Sequence, residues 1–280
     1  MQSDLASIDY ILDESNPWEK RYRRAQFFDN RELINAYICE ITNVEIRLVF
    51  LRKITDQNIL LRLAFDDRDP IVRKLAIFGL NSSHHEEFME IAKTDPIWFV
   101  RMAGVQKLPR RYQEFFAMIL IEEEHDRVRK VARDHVQMLE LDVKIILRLA
   151  IEAWDSMVRK AAFRYITDEA MLYELVMKSN DYNLGEQAIE RISNQVYLTK
   201  IAKQAEYGHI RAYAAMKIND EHFLANLFLI DNSPFVREIC ISKITHLNQI
   251  AKLRLVARTE LQTLVINRMR ELLDNENSEE

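Results

Sequence analysis

The densest group of metal-ligating side chains in the sequence is His84-His85-Glu86-Glu87. A metal site on a helix needs its ligands on one face, as at positions i and i+4. Adjacent histidines project in different directions, so this run reads as a polar turn and helix start. His125, His135, His209, His222 and His246 show no ligand spacing. Glu122-Glu123-Glu124 offers carboxylates for acid–base chemistry, which requires a pocket that tunes their acidity. Beside Arg127 and Arg129 the run reads instead as a solvated face. Cys39 and Cys240 lie far apart in apolar helical surroundings and read as buried small side chains rather than a disulfide. The expectation is a chain without catalytic residues, cofactor or metal, which works by binding.

Binding chemistry has more to draw on. An apolar residue followed by Arg recurs as Ile46-Arg47, Val72-Arg73, Val100-Arg101, Val128-Arg129, Val158-Arg159, Ile210-Arg211 and Val236-Arg237. Such a column could hold phosphate. A residue repeated once per structural repeat is better suited to joining neighbours, through an acidic side chain or a carbonyl. Six residues after these anchors come Lys53, Lys107, His135, Arg191, Lys217, Lys243 and Arg268, a basic stripe. It falls in the last helical turn, where cations complement the helix dipole.

These residues need elements to position them, and the period supplies the elements. Steps between anchor arginines are 26, 28, 28 and 30 residues, then 52, then 26. The 52 is a double step with Leu184-Gly185 at its middle. Stepping outward adds Arg21 and Leu261-Gln262, for about ten repeats. Three residues after the anchor stand Ala76, Gly104, Ala132, Ala162, Ala188, Ala214 and Cys240. Seven after it stand Phe28, Ile54, Leu80, Leu108, Val136, Ile166, Ile192, Ile218, Ile244 and Met269. Small at one turn and large at the next is what close helix crossing needs. Asn30, Asp56, Asp168, Asn194, Asp220 and His246 close one helix and open another, and Asn43, Asp69, Asp155 and Asp181 precede the anchor helices. Most are N-cap residue types. The repeat is helix, tight turn, helix, tight turn, and one pair cannot bury its apolar face alone.

Composition agrees. The 280 residues include only 4 Gly and 5 Pro, too few for a sheet-rich fold or a glycine-rich phosphate loop. The net charge of −5 weighs against a nucleic-acid protein. Acidic residues interrupt the N-terminus and no apolar run reaches membrane-spanning length, so a cytoplasmic protein without membrane contact is expected. The fold expected is all-α, a right-handed α-solenoid forming one domain over 1–280. A capping helix would occupy 1–15, the repeats 16–272 and a frayed acidic tail 273–280.

The string Asp69-Pro70-Ile71-Val72-Arg73-Lys74-Leu75-Ala76 resembles the second helix of HEAT repeats. The short period is similar to that of compact bacterial HEAT-like proteins, including the phycobilin-lyase type and the leucine-rich-repeat variants. The resemblance covers roughly residues 16–272. It implies a fold and leaves function open.

In HEAT-type stacking the positions one and five residues after the anchor line the concave surface. Here these include Leu48, Arg52, Lys74, Phe78, Met102, Gln106, Lys130, Lys160 and Arg164, then Glu186, Glu190, Met216, Glu238 and Ser242. The first part is basic with apolar members, which a merely solvated face does not need. Three readings follow. The first is a non-enzymatic scaffold that holds a protein or peptide partner. The second is a nucleic-acid-binding protein with a groove like that of a HEAT-like DNA-repair glycosylase. The third is an enzyme, or enzyme subunit, of the phycobilin-lyase type. Oligomeric state is left open.

Overall fold

The computed structural model describes residues 2–278. It contains twenty α-helices and no strand among the described residues. The chain forms two compact units, Met1–Glu140 and Leu141–Glu280. Unit 1 holds α1 (Gln2–Leu12), α2 (Trp18–Phe27), α3 (Arg31–Tyr37), α4 (Val44–Leu51), α5 (Gln57–Asp66), α6 (Pro70–Gly79), α7 (His85–Thr94), α8 (Trp98–Lys107), α9 (Gln113–Glu122) and α10 (Asp126–His135). Unit 2 begins with α11 (Val143–Glu152), α12 (Ser156–Phe163), α13 (Glu169–Lys178), α14 (Tyr182–Arg191) and α15 (Gln195–Gln204). It continues through α16 (Gly208–Met216), α17 (Glu221–Ile230), α18 (Pro234–Lys243), α19 (Leu247–Val256) and α20 (Thr259–Ser278).

The anchors all fall on even-numbered helices, each packed against the odd-numbered helix before it except α4, which packs against the 3₁₀ turn (Ile38–Glu40) that follows α3. This is the alternation that the sequence period requires of a helical-repeat chain. Helix α1, expected as a cap, stands to α2 as α5 stands to α6. In unit 1 the anchor helices α2, α4, α6, α8 and α10 are successive neighbours. In unit 2 so are α14, α16, α18 and α20. The longer sequence steps are absorbed in turns, one at Pro109–Tyr112 and one containing a 3₁₀ turn at Met138–Glu140, while the helices on either side keep ten residues each. Of the expected tail, residues 273–278 continue α20, and 279–280 lie outside the described residues.

The caps follow chemistry. Asp56 accepts from the amides of Asn58 and Ile59, Asp69 from Ile71 and Val72, and Asp220 from His222 and Phe223. Each satisfies amides that a helix start leaves open. His246 makes no side-chain cap, and Glu221 of the preceding pair takes its place, as described below. The small column is fully buried at Ala76, Ala132, Ala162, Ala188, Ala214 and Cys240. At Gly104 an added Cβ would meet the Phe88 carbonyl oxygen at 2.7 Å, so α8 crosses α7 at a distance only glycine allows. Eight members of the large column are buried, and Val136 and Met269 are half-buried.

One expectation about a single residue needs correction. Cys240 is buried, but Cys39 is exposed, because it lies in a 3₁₀ turn (Ile38–Glu40) that ends α3 early and turns its thiol toward Arg62. Trp18 is half exposed, while Trp98 lies flat on His125 at 4.2 Å between ring centroids.

Candidate partner-binding face

The repeated polar residues are engaged in joining helical pairs. Arg73 donates through Nε and Nη2 to the Asp95 carboxylate at 2.7 and 3.0 Å, and through Nη1 to the Asp67 carbonyl at 2.9 Å. Asp67 lies in the turn of its own pair and Asp95 in that of the next. The same two-way clasp recurs from Arg47 to Asp67, Arg101 to Glu123, Arg159 to Asp181 and Arg211 to Asp231. Asp67, Asp95, Glu123 and Asp231 each also accept from the amide two residues on, at 2.8 Å. Where Gly185 replaces the arginine, the acceptor place twenty residues on is Ala205. Donor and acceptor are absent together.

Glu123 therefore belongs to the clasp rather than to a solvated run, and it is buried. Burial alone would raise its carboxyl, but hydrogen bonds from Arg101 and the His125 amide, with the Arg101 charge, bring it below the ordinary value. The same balance of burial against Arg211 and the Ser233 amide lowers Asp231.

The basic stripe is engaged too. Lys217 donates to the carbonyls of Ile189, Glu190 and Ile192 at 2.9, 2.7 and 2.7 Å, capping the C-terminus of α14, the preceding anchor helix. Lys53 does this for α2, Lys107 for α6, Arg191 for α12, Lys243 for α16 and Arg268 for α18. The cations thus complement the dipole of the neighbouring helix as well as their own. His135 differs, its Nδ1 meeting the Val131 carbonyl within α10. A third tie starts from the first residue of some odd-numbered helices. Glu221 accepts from the Thr245 amide and hydroxyl and from the His246 amide and ring, so although burial would raise it, its carboxyl is held at about 2. Glu169 does the same at Ser193 and Asn194, and Gln57, Gln113 and Gln195 accept single amides of the next pair.

Subtracting these columns leaves the outer face of the anchor helices, clearest on α6. Val72, Arg73, Ala76, Ile77 and Leu80 are buried, whereas Ile71, Lys74, Leu75 and Phe78 form the opposite stripe at i, i+3, i+4 and i+7. Ile71 is 50% exposed and Phe78 44%, too much for core side chains. On α8, Phe99 and Met102 are half-buried and Gln106 is exposed. The Lys74 ammonium lies 5.9 Å from the Phe99 ring, linking the two helices. On α4, Leu48 is half-buried and Arg52 exposed, and on α10 Lys130 is exposed. Arg127 lies over Trp98 at 5.2 Å.

Seven of the expected face residues, Leu48 to Lys130, thus stand on successive anchor helices of unit 1. Lys160 and Arg164, both exposed, stand at α12 in unit 2. Sequence reasoning missed Ile71, Leu75 and Phe99. A signal for Ile71 and Phe99 was present two residues before the anchor, where Glu19, Glu45, Asn183 and His209 are polar but Ile71, Phe99, Met157 and Phe235 are apolar.

His84 faces Glu87 at 3.5 Å, whereas His85 packs on Tyr112, so the adjacent histidines diverge. No three His, Cys, Asp or Glu side chains among the described residues are grouped to hold a metal. No helix among them is long and apolar enough to cross a membrane. No family model matches the chain, and no curated protein matches it.

Proposed function

We propose that this chain is a HEAT-like, non-enzymatic binding protein whose α4–α10 face takes an acidic, partly apolar segment of a partner protein. The carrying observation is the stripe of exposed Ile71, Leu75 and Phe78, with half-buried Lys74 among them, on a helix whose other side is buried. Exposed apolar side chains beside cations that lie over half-buried rings suit a partner that buries apolar anchors and offers carboxylates around them. Arg52, Lys74, Arg127 and Lys130 supply the complementary charge, which steers association and selects against basic competitors.

The nucleic-acid reading draws less support. Cations at the sixth position after the anchor are spent on carbonyls, leaving few to follow a phosphate backbone. The lyase reading has only the repeat resemblance behind it.

Selection of displayed peptides on the purified protein, with counter-selection on Lys74→Glu/Phe78→Asp, tests the proposal. The expected survivors are acidic peptides with apolar or aromatic residues that bind the wild type and not the variant. Survivors that bind both proteins equally would overturn it.

A further inference from the structure

The repeat columns account for Arg21 but not for its neighbours. Arg21, on α2, donates to the Ile11 carbonyl at 2.7 Å and is buried in the manner of the other anchors. Lys20, Arg23, Arg24 and Phe27 occupy i, i+3, i+4 and i+7 on the same helix, a separate exposed stripe. With Tyr10 of α1 they line a cleft of about 560 Å³ between the first two helices, a volume typical of small-molecule sites. Phe27 is 83% exposed at its rim, the most exposed phenylalanine among the described residues. Arg24 lies over the Tyr10 ring at 4.0 Å. Among the described residues, no ion pair engages Lys20 or Arg23.

Three cations in one cleft call for an anion of more than one charge, and a compact phosphate suits them better than an extended acidic chain. The aromatic components add a second requirement. A bare phenyl ring at the rim offers a planar surface on which a flat heterocycle stacks, whereas the Tyr10 face is taken by the Arg24 guanidinium. Two carboxylates also reach the cleft. Asp4 accepts from the Asn30 side chain at 3.1 Å, while Asp29 is exposed and offers an acceptor for sugar hydroxyls or an exocyclic amine. Cations, a flat ring and a carboxylate together match the three parts of a nucleotide. We propose that the α1–α2 cleft binds a nucleotide, through phosphate on Lys20 and Arg23 and through base stacking at Phe27. This site stands apart from the α4–α10 face, and neither proposal depends on the other.

Isothermal titration of the full chain with ADP, adenosine, pyrophosphate and an eight-residue oligodeoxyadenylate tests it. ADP is expected to bind with a Kd below about 1 mM, and adenosine and pyrophosphate at least about tenfold more weakly. Lys20→Ala/Arg23→Ala, at exposed positions, should weaken ADP at least about tenfold while leaving thermal unfolding unchanged. Phe27→Ala should weaken ADP but not pyrophosphate. If the oligonucleotide binds much more tightly than ADP with the same sensitivity to both variants, the nucleotide is supplied by a strand and the site stands. Pyrophosphate binding as tightly as ADP would reduce the cleft to an anion patch and overturn the proposal. So would binding unaffected by either variant, or no binding of any probe at about 1 mM.

Discussion

Arg73 donates in two directions, to a carbonyl of its own turn and to a carboxylate of the next, so one side chain orders two turns at once. Removing one partner of a buried pair leaves a charge without compensation, a loss of about 3–5 kcal/mol. The arginine's role was legible because it repeats. Its acceptor was not, because that residue sits twenty or twenty-two places on, in turns of differing length, and is Asp or Glu. Glu123 was misread for this reason. Glu221 gives the pH prediction at this scale. Its folded value of about 2 lies below the ordinary glutamate range, so its contribution to stability is complete above roughly pH 4.5 and lost as pH falls toward 2. Thermal unfolding measured between pH 5 and pH 2 should show a shallower decline for Glu221→Gln than for the wild type. Parallel curves would mean that the contacts at Thr245 and His246 do not hold in solution.

At the scale of the helix, pattern and chemistry agree most closely. Caps at Asp56, Asp69 and Asp220 were readable because short polar side chains before apolar runs have one common use. The small column was readable as a crossing, but a sequence does not state how tight each crossing is. Gly104 is the extreme, with the Phe88 carbonyl oxygen and Ala92 both in the path of a Cβ. Gly104→Ala should therefore destabilise by about 1–3 kcal/mol despite alanine's better helix propensity. Chemical denaturation checks this, and a stabilised variant would show that α7 and α8 separate freely. The end of α3 was not readable, since nothing before Cys39 announces a 3₁₀ turn. That one local change exposes a thiol expected in the core.

Across the molecule, the repeat divides residues into those that join helical pairs and those left on the surface. In the first group the arginines and the basic stripe were legible from periodicity, and their acceptors were not. The second was legible only in part, because exposure depends on the packing of both neighbouring helices. The +1 and +5 positions of unit 1 fall on the anchor helices, yet the apolar stripe of α6 also draws on Ile71 and Leu75, which those positions omit. The central claim is that this stripe is free for a partner and adds little to the fold. Thermal unfolding of Ile71→Asp/Phe78→Asp tests it most directly. With no core contact to lose, the variant should melt within about 2 °C of the wild type, as surface substitutions worth about 0.5 kcal/mol do in chains of this size. A fall of about 5 °C or more would place these side chains in the packed interior and leave no face for a partner.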